Sequence, residues 1–140
     1  TTMYDGGVRV PFMLRWPAMV KPGVSDAFVC QMDLLASFAG LLGQTYPDKL
    51  DSRNTLKAFL GKSKKGREEL VIEGMFNYAY RKGDWALIPP YRKQTEYQLY
   101  NLKEDIGQKH NLADKYPKKV KELTDEFEAL KLSTGKKTRF

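Results

Sequence analysis

The spacing of apolar residues switches to a period of two at Leu70, and that switch does most to restrict how the chain can fold. Leu70-Val71-Ile72-Glu73 and Met75 to Arg81 read as strands, the second alternating Phe76, Tyr78 and Tyr80. Arg81-Lys82-Gly83-Asp84 is a hairpin turn, with a glycine available for a positive φ. Trp85-Ala86-Leu87-Ile88 is its partner, ended by Pro89-Pro90, and Glu96 to Leu102 alternates as one more strand. An antiparallel meander of this kind needs a cover for its apolar face. The period then returns to helical: Val120, Leu123, Phe127 and Leu130 fall on one stripe behind Pro117, with Asn111 or Asp114 as candidate caps. Lys118 with Glu122 and Lys121 with Asp125 are i,i+4 pairs for the wet side.

The first half reads differently. Asp5-Gly6-Gly7 is a turn signal that runs into a strand-like stretch, Val8 to Leu14, in which Pro11 predicts a bulge or an edge. Ala27-Phe28-Val29 is a short apolar strand or extended link. Gln31 to Leu42 carries Met32, Leu35, Phe38, Ala39 and Leu42 at helical spacing, with Leu34 and Leu41 beside them, and Gly43 is the expected left-handed stop. So much apolar surface on one short helix predicts burial on more than one side. Residues 44–68 read as loop, with a turn at Tyr46-Pro47-Asp48, a helical turn at 56–61 and a basic, Gly-punctuated connection after it. No internal repeat is present.

Composition excludes several classes. At 140 residues the chain fits one domain, and 41% apolar with 12% aromatic residues is a globular balance. No apolar run approaches the ~18 residues of a membrane helix. One cysteine, Cys30, rules out an intrachain disulfide, and one histidine, His110, argues against a histidine-rich metal site. The net charge of +7 concentrates in two places: Lys62, Lys64, Lys65 and Arg67 in a loop, and Lys131, Lys136, Lys137 and Arg139 in a tail. Such blocks are usually solvated, so neither nucleic acid nor a membrane is an expected partner.

Taken singly, the tempting residues have plain readings. Paired glycines let a backbone pass close to another segment or a ligand, and Arg9, four residues after Asp5, suits an oxyanion or Asp5 itself. His110 beside Asn111 belongs to a turn before the last helix, in a solvated or capping role. Asp33 in the first turn of its helix complements the dipole there. Glu68, Glu69 and Glu73 make no plausible carboxylate pair. Tyr78, Tyr80, Trp85, Tyr97 and Tyr100 are suited to stacking sugars or bases, but on a half-buried sheet they read first as core.

Read together, five segments resemble the formylglycine-dependent sulfatases of the alkaline phosphatase superfamily. Tyr4-Asp5-Gly6-Gly7-Val8-Arg9-Val10-Pro11, with Trp16-Pro17 after it, is similar to Y-D/E-G-G-x-R-x-P-…-W-P. Val24 to Leu35 resembles the V-S-x-x-D-L-x-x-T helix start, and Asp51 to Gly61 the D-G-x-S-L-x-x-L-L-x-G turn. Ala79 to Trp85 resembles the A-x-R-x-G-x-W/Y-K-L hairpin. Glu96 to Ala113 resembles E-L-Y-N/D-L-x-x-D-P-x-E-x-x-N-L-A. Departures at Ser52, Ala86, Ile106 and Ser37-Phe38 fall in packing or turn positions.

The resemblance implies an α/β fold, here an α+β fragment. Residues 1–45 would be the edge of the large α/β catalytic domain, 46–66 a connecting loop, 67–131 a small antiparallel sheet plus helix, and 132–140 a basic tail. It further implies the C-terminal part of a larger enzyme, a sulfuric ester hydrolase of arylsulfatase type, whose partners are the remainder of the sulfatase chain and a sulfated small molecule or glycan. Family members are commonly exported, whether periplasmic, secreted or lysosomal. Calcium and formylglycine are expected in that parent and none in this chain: Cys30 is followed by Gln31-Met32-Asp33-Leu34 and lacks the C-x-P/A-x-R motif, and is read as a small buried hydrophobe. The residues that carry over as near the active site are Tyr4, Asp5, Gly6, Gly7 and Arg9, and none is catalytic. A phosphonate or phosphate ester hydrolase of the same superfamily, or a non-enzymatic anion-binding module, is the alternative. Lacking a nucleophile motif, the 140-residue chain alone is expected to be inactive on an aryl sulfate and to bind no calcium tightly, and it is expected to self-associate through apolar surface. Turnover of an aryl sulfate by the pure chain, retained in Cys30→Ala, would contradict the assignment of the nucleophile to another part of the parent.

Overall fold

The structure is a computed structural model that describes residues 3–47, 50–74, 77–91 and 94–133. The expected strand residues Met75 and Phe76, Asp48 of the expected turn, and the basic tail beyond Ser133 lie outside them. The chain divides into two compact units, Thr1–Val10 with Glu69–Phe140, and Pro11–Glu68.

The first unit is built on the meander. Strands β1 (Glu69–Glu73), β2 (Tyr78–Lys82), β3 (Trp85–Ile88) and β4 (Gln98–Asn101) form one antiparallel sheet in sequence order. Gly83 turns the β2–β3 hairpin at φ 56°, a backbone conformation that a Cβ disfavours. Register sets the faces: Tyr80 pairs with Leu87 and Leu87 with Leu99, whereas Arg81 pairs with Ala86 and Ala86 with Tyr100. Alternation therefore sends Tyr80, Leu87 and Leu99 to one side and Ala79, Arg81, Ala86 and Tyr100 to the other.

The first side is covered by α3 (Pro117–Ser133). Leu123 and Phe127 are fully buried against Tyr80, Leu87 and Leu99, while Val120 and Leu130 pack at the margin, so the predicted stripe is the one used. Of the aromatic set, Tyr80 and Tyr100 are buried, and Tyr78, Trp85 and Tyr97 pack against the core. The wet-side pairs are Lys121–Asp125 at 2.6 Å and Lys119–Glu122 at 2.8 Å, the second shifted by one residue from the expected Lys118. Asn111 does not cap the helix. Its Oδ1 accepts from the N–H groups of Leu99 and Ala113, and its Nδ2 donates to Tyr97 O, stitching the connection onto β4. The helix starts behind Tyr116, whose carbonyl accepts from Lys119 and Val120.

The other side of the sheet is covered by the N-terminal segment, where Met3 joins Ala79, Ala86, Ile88, Tyr100 and Leu102. Residues 8–14 form no strand: a strand needs a neighbour for its backbone groups, and the sheet ends at β1 and β4 without them.

The second unit contains α1 (Leu34–Leu41), led by a 3-10 turn at Gln31–Asp33, and α2 (Leu56–Phe59). Gly43 ends α1 at φ 65° as expected. The face that α1 buries within this unit is small and polar. Ala36 and Ser37 face Ser52 and Thr55, with Ser52 Oγ accepting from Ala36 N–H and Ser37 Oγ from Thr55 N–H. Met32, Leu35, Phe38 and Leu42 are exposed, so burial on more than one side is not found among the described residues. Asp33 and Arg67 correct the sequence reading. Asp33 is fully buried and takes Arg67 in a two-point ion pair, at 3.0 Å (Nε to Oδ2) and 2.7 Å (Nη2 to Oδ1), with Arg53 N–H on the same carboxylate. Burial alone would lower the Arg67 pKa, but the hydrogen bond and charge of Asp33 outweigh it and raise the value. Asp33 thus anchors a loop, and Arg67 is not a solvated loop cation. Cys30 is half-buried.

Phe127 touches both Tyr78 and Tyr80, with ring centroids at 5.8 and 6.1 Å. Phe127→Ala is expected to lower the stability of this unit by about 3–5 kcal/mol, read from the urea midpoint of its tyrosine and tryptophan signals. An unchanged midpoint would mean that α3 does not close the sheet.

Candidate functional site

The residues expected near an active site, Tyr4, Asp5, Gly6, Gly7 and Arg9, share one turn. Asp5–Gly7 is a single 3-10 turn in which Asp5 O accepts from Val8 and Arg9 N–H, and Tyr4 O from Gly7 N–H. The turn brings Arg9 back over Asp5, with Nε 2.6 Å from Oδ2. On the other carboxylate oxygen sits Arg81 Nη1 at 3.0 Å, delivered from β2 on the sheet side opposite α3. Asp5 is buried, Arg81 nearly so, and Arg9 is half-exposed. Burial lowers the Arg81 pKa from its ordinary value and Arg9 adds to that, while Asp5 opposes both. The close-approach reading of the glycine pair does not hold at Gly6, where a Cβ would meet nothing within 4 Å. Gly6 instead lines an open recess.

Two segments hold this turn against the sheet. Tyr4 OH donates to Gln98 Oε1 at 3.1 Å, which also accepts from Tyr100 OH at 3.0 Å, and the two rings meet edge to face at 6.1 Å. Burial first, then the Tyr4 phenol, pushes the Tyr100 hydroxyl up to about 12. The second support is the turn between β4 and α3. Asp105 Oδ2 accepts from the N–H groups of Lys109 and His110 at 2.8 Å each, and the His110 hydrogen bond leads in lowering the Asp105 pKa. That clamp holds Gln108 at φ 49°, in the left-handed region that few side chains favour. From there Gln108 reaches under the turn, and its Oε1 accepts from Asp5 N–H at 2.5 Å. His110 itself points into solvent with its ring 80% exposed, in keeping with a turn residue.

Arg81, Gln98, Tyr100 and Gln108 join the site without having been singled out for it by the sequence. For Arg81 the signal was present: within an alternating strand it must face away from Tyr80 and α3. Gln108 had none in periodicity, since only the Asp105 clamp brings it to the turn. Tyr4, Gly6, Gly7, Ile106, Gly107 and Gln108 line the recess, whose volume is about 310 Å³.

The metal and nucleophile implied by the resemblance do not fit here. Among the described residues no three His, Cys, Asp or Glu side chains come together as a metal site, and Asp5 is engaged by two guanidiniums.

The comparisons place this meander and its covering helix among sulfatase C-terminal regions. The chain belongs to the family described as N-sulphoglucosamine sulphohydrolase, C-terminal, which matches residues 1–133. It is 38% identical over 144 residues to an N-acetylgalactosamine-6-O-sulfatase of Bacteroides thetaiotaomicron, covering 91% of this chain and 28% of that protein. A sulfatase structure from work on glycosaminoglycan metabolism by Bacteroides thetaiotaomicron superposes with a TM-score of 0.76 at 35% identity, covering 84% of this chain and 28% of that one. Another, solved with its substrate D-glucosamine-2-N,6-O-disulfate, gives 0.66 at 25% identity, over 89% of this chain and 28% of that one. The chain thus spans just over a quarter of the length of the relatives it matches.

Asp5→Ala removes the buried carboxylate that Arg81 and Arg9 share and is expected to cost the first unit about 3 kcal/mol or more. Arg9→Ala removes an exposed partner and is expected to cost about 1 kcal/mol or less. Equal losses in urea unfolding would mean that Asp5 is not the buried anchor.

Proposed function

We propose that the chain is the C-terminal part of an enzyme that hydrolyses the sulfate esters of a glycan, and that the turn Tyr4 to Arg9 borders its sulfate pocket. The match of the sulfatase C-terminal family to residues 1–133 carries the reading. Formylglycine and calcium would come from the parts of the longer relatives that this chain does not match. What this chain contributes is a fixed cation. The Nε of Arg9 is spent on Asp5, and its terminal nitrogens have no protein partner among the described residues. A guanidinium held before substrate arrives needs little reorganisation to stabilise charge developing on a sulfuryl group. The 6-O-sulfated amino sugar named for the Bacteroides relative and the net charge of +7 both favour an anionic glycan. No observation favours a phosphate ester.

In the full-length enzyme, Arg9→Ala is expected to lower kcat/KM for a sulfated saccharide by about ten- to a hundredfold, and His110→Ala by less than about twofold. Equal losses with unchanged stability would place the turn away from the reaction.

A further inference from the structure

Gln108 carries two costs that a glycine would avoid. Its backbone sits at φ 49°, in the left-handed region where a Cβ is strained, and its side-chain Nε2 is buried with no hydrogen-bond partner. Such features are rare, and they persist where the surrounding structure over-determines them. Here Asp105 does so. Its Oδ2 accepts from the N–H groups of Lys109 and His110, and its carbonyl accepts from Gln108 N–H at 3.0 Å. Gln108 stands outside both hydrophobic clusters, so packing of the sheet does not ask for its side chain. A glycine would satisfy the turn. It would lack the one bond that this side chain makes among the described residues, from Asp5 N–H to Oε1.

That bond matters because of what hangs on the other end of Asp5. The carboxylate takes Arg9 Nε on one oxygen and Arg81 Nη1 on the other. Arg81 is itself a fixed post: it stands in β2, its Nε donates to Gly83 O at 3.2 Å, and Asp84 is a second acid in its surroundings. A residue held at its carboxylate alone still pivots about its side-chain bonds and carries the turn with it. With the N–H pinned by Gln108 as well, Asp5 has two fixed ends, and the direction in which it aims Arg9 is fixed with them. All of these residues belong to the first unit.

We infer that Gln108 is a positioning residue for sulfate ester hydrolysis: it acts through Asp5 to keep Arg9 aimed at the sulfate pocket, and Asp105 serves by holding Gln108 in its left-handed turn. The inference rests on the functional reading above, which sets Arg9 at that pocket. A misplacement of about 1 Å costs on the order of a hundredfold in rate, so an acceptor 103 residues from Asp5 controls turnover without touching substrate. A cation aimed at developing charge acts on the transition state more than on the bound ground state, so its misplacement lowers kcat and leaves KM nearly alone. A purely structural role makes a different demand. Loss of Gln108 would then act through stability, with the same effect whether or not Arg9 is present.

The test is a double-mutant cycle in the full-length enzyme, with para-nitrophenyl sulfate and N-acetylgalactosamine 6-sulfate as substrates. Gln108→Gly keeps the left-handed backbone and removes the acceptor. It is expected to lower kcat about tenfold and to change KM by less than about twofold. Gln108→Glu restores an acceptor oxygen for Asp5 N–H and is expected to recover most of kcat. Asp105→Ala releases the turn with the Gln108 side chain intact and is expected to reproduce the loss. In an Arg9→Ala background neither Gln108→Gly nor Asp105→Ala is expected to lower kcat further, because residues that act as a unit are not additive. Losses that add in full to that of Arg9→Ala would overturn the inference and leave the functional reading standing. So would an unchanged kcat in Gln108→Gly and Asp105→Ala while Arg9→Ala is impaired. An Arg9→Ala enzyme as active as the unsubstituted one, or an unsubstituted enzyme that turns over neither substrate, would refute that reading and this inference together. If Gln108→Gly does not fold, Asp105→Ala carries the same cycle; if neither folds, the role is structural and the inference falls.

Discussion

The carboxylate of Asp5 is the point on which the first unit turns. Residues 3–9 have no strand and only a single 3-10 turn, so regular backbone pairing cannot hold them. Asp5 joins them to β2 through Arg81, 76 residues away, and to the β4–α3 turn through Gln108, 103 residues away. Taking the acid out of water is costly, and a single partner seldom offsets it. Two guanidiniums and a neutral acceptor on its backbone N–H spread that cost over three elements. Removing Asp5 would therefore break the link from β2 to this segment and free the stretch that carries Arg9.

The second unit repeats the device with different parts. Asp33 is fully buried and receives Arg67 through two nitrogens plus the Arg53 N–H, and Arg67 Nη2 donates also to Asp51 O. Glycine makes room for that loop: at Gly66 a Cβ would run into the Phe28 carbonyl, and the next residue, Arg67, donates its N–H to the same oxygen at 2.7 Å. In both units an acid placed early in the segment gathers an arginine from far along it, where a short irregular stretch offers too little apolar area to hold itself. Such pairs fix geometry more than they add stability, which suits a region argued to position a cation.

Where local spacing decided the outcome, the sequence was legible. The β2–β3 hairpin, the glycine stop after α1 and the α3 stripe follow from period and turn chemistry alone. The strand over 8–14 failed because a strand is a property of two segments, and its own residues say nothing of a neighbour. Asn111 was misread for a similar reason: Asn suits a helix cap and a strand staple equally, and the position of Leu99 decided between them. Tyr4 to Arg9 stood out in the sequence only as a motif of the resembled family. Gln108 did not stand out, since its role depends on a left-handed backbone that the Asp105 clamp imposes. Asp33 and Arg67 were hidden because an acid near a helix start and an arginine in a basic loop both have commoner solvated roles.

The two units differ in how completely they cover themselves, and the difference bears on what each can be. In the first, both sheet faces are packed by the chain's own residues, α3 on one side and Met3 on the other. In the second, α1 turns Ala36 and Ser37 inward and leaves Leu35 55% and Leu42 70% exposed. Leaving a large aliphatic side chain in water forgoes about 1.5–3 kcal/mol, so this face is unfavourable for a unit that ends there. The longer relatives have nearly three-quarters of their length elsewhere. A helix held inward by hydroxyls and outward-facing in its leucines suits a piece whose core is completed by more polypeptide.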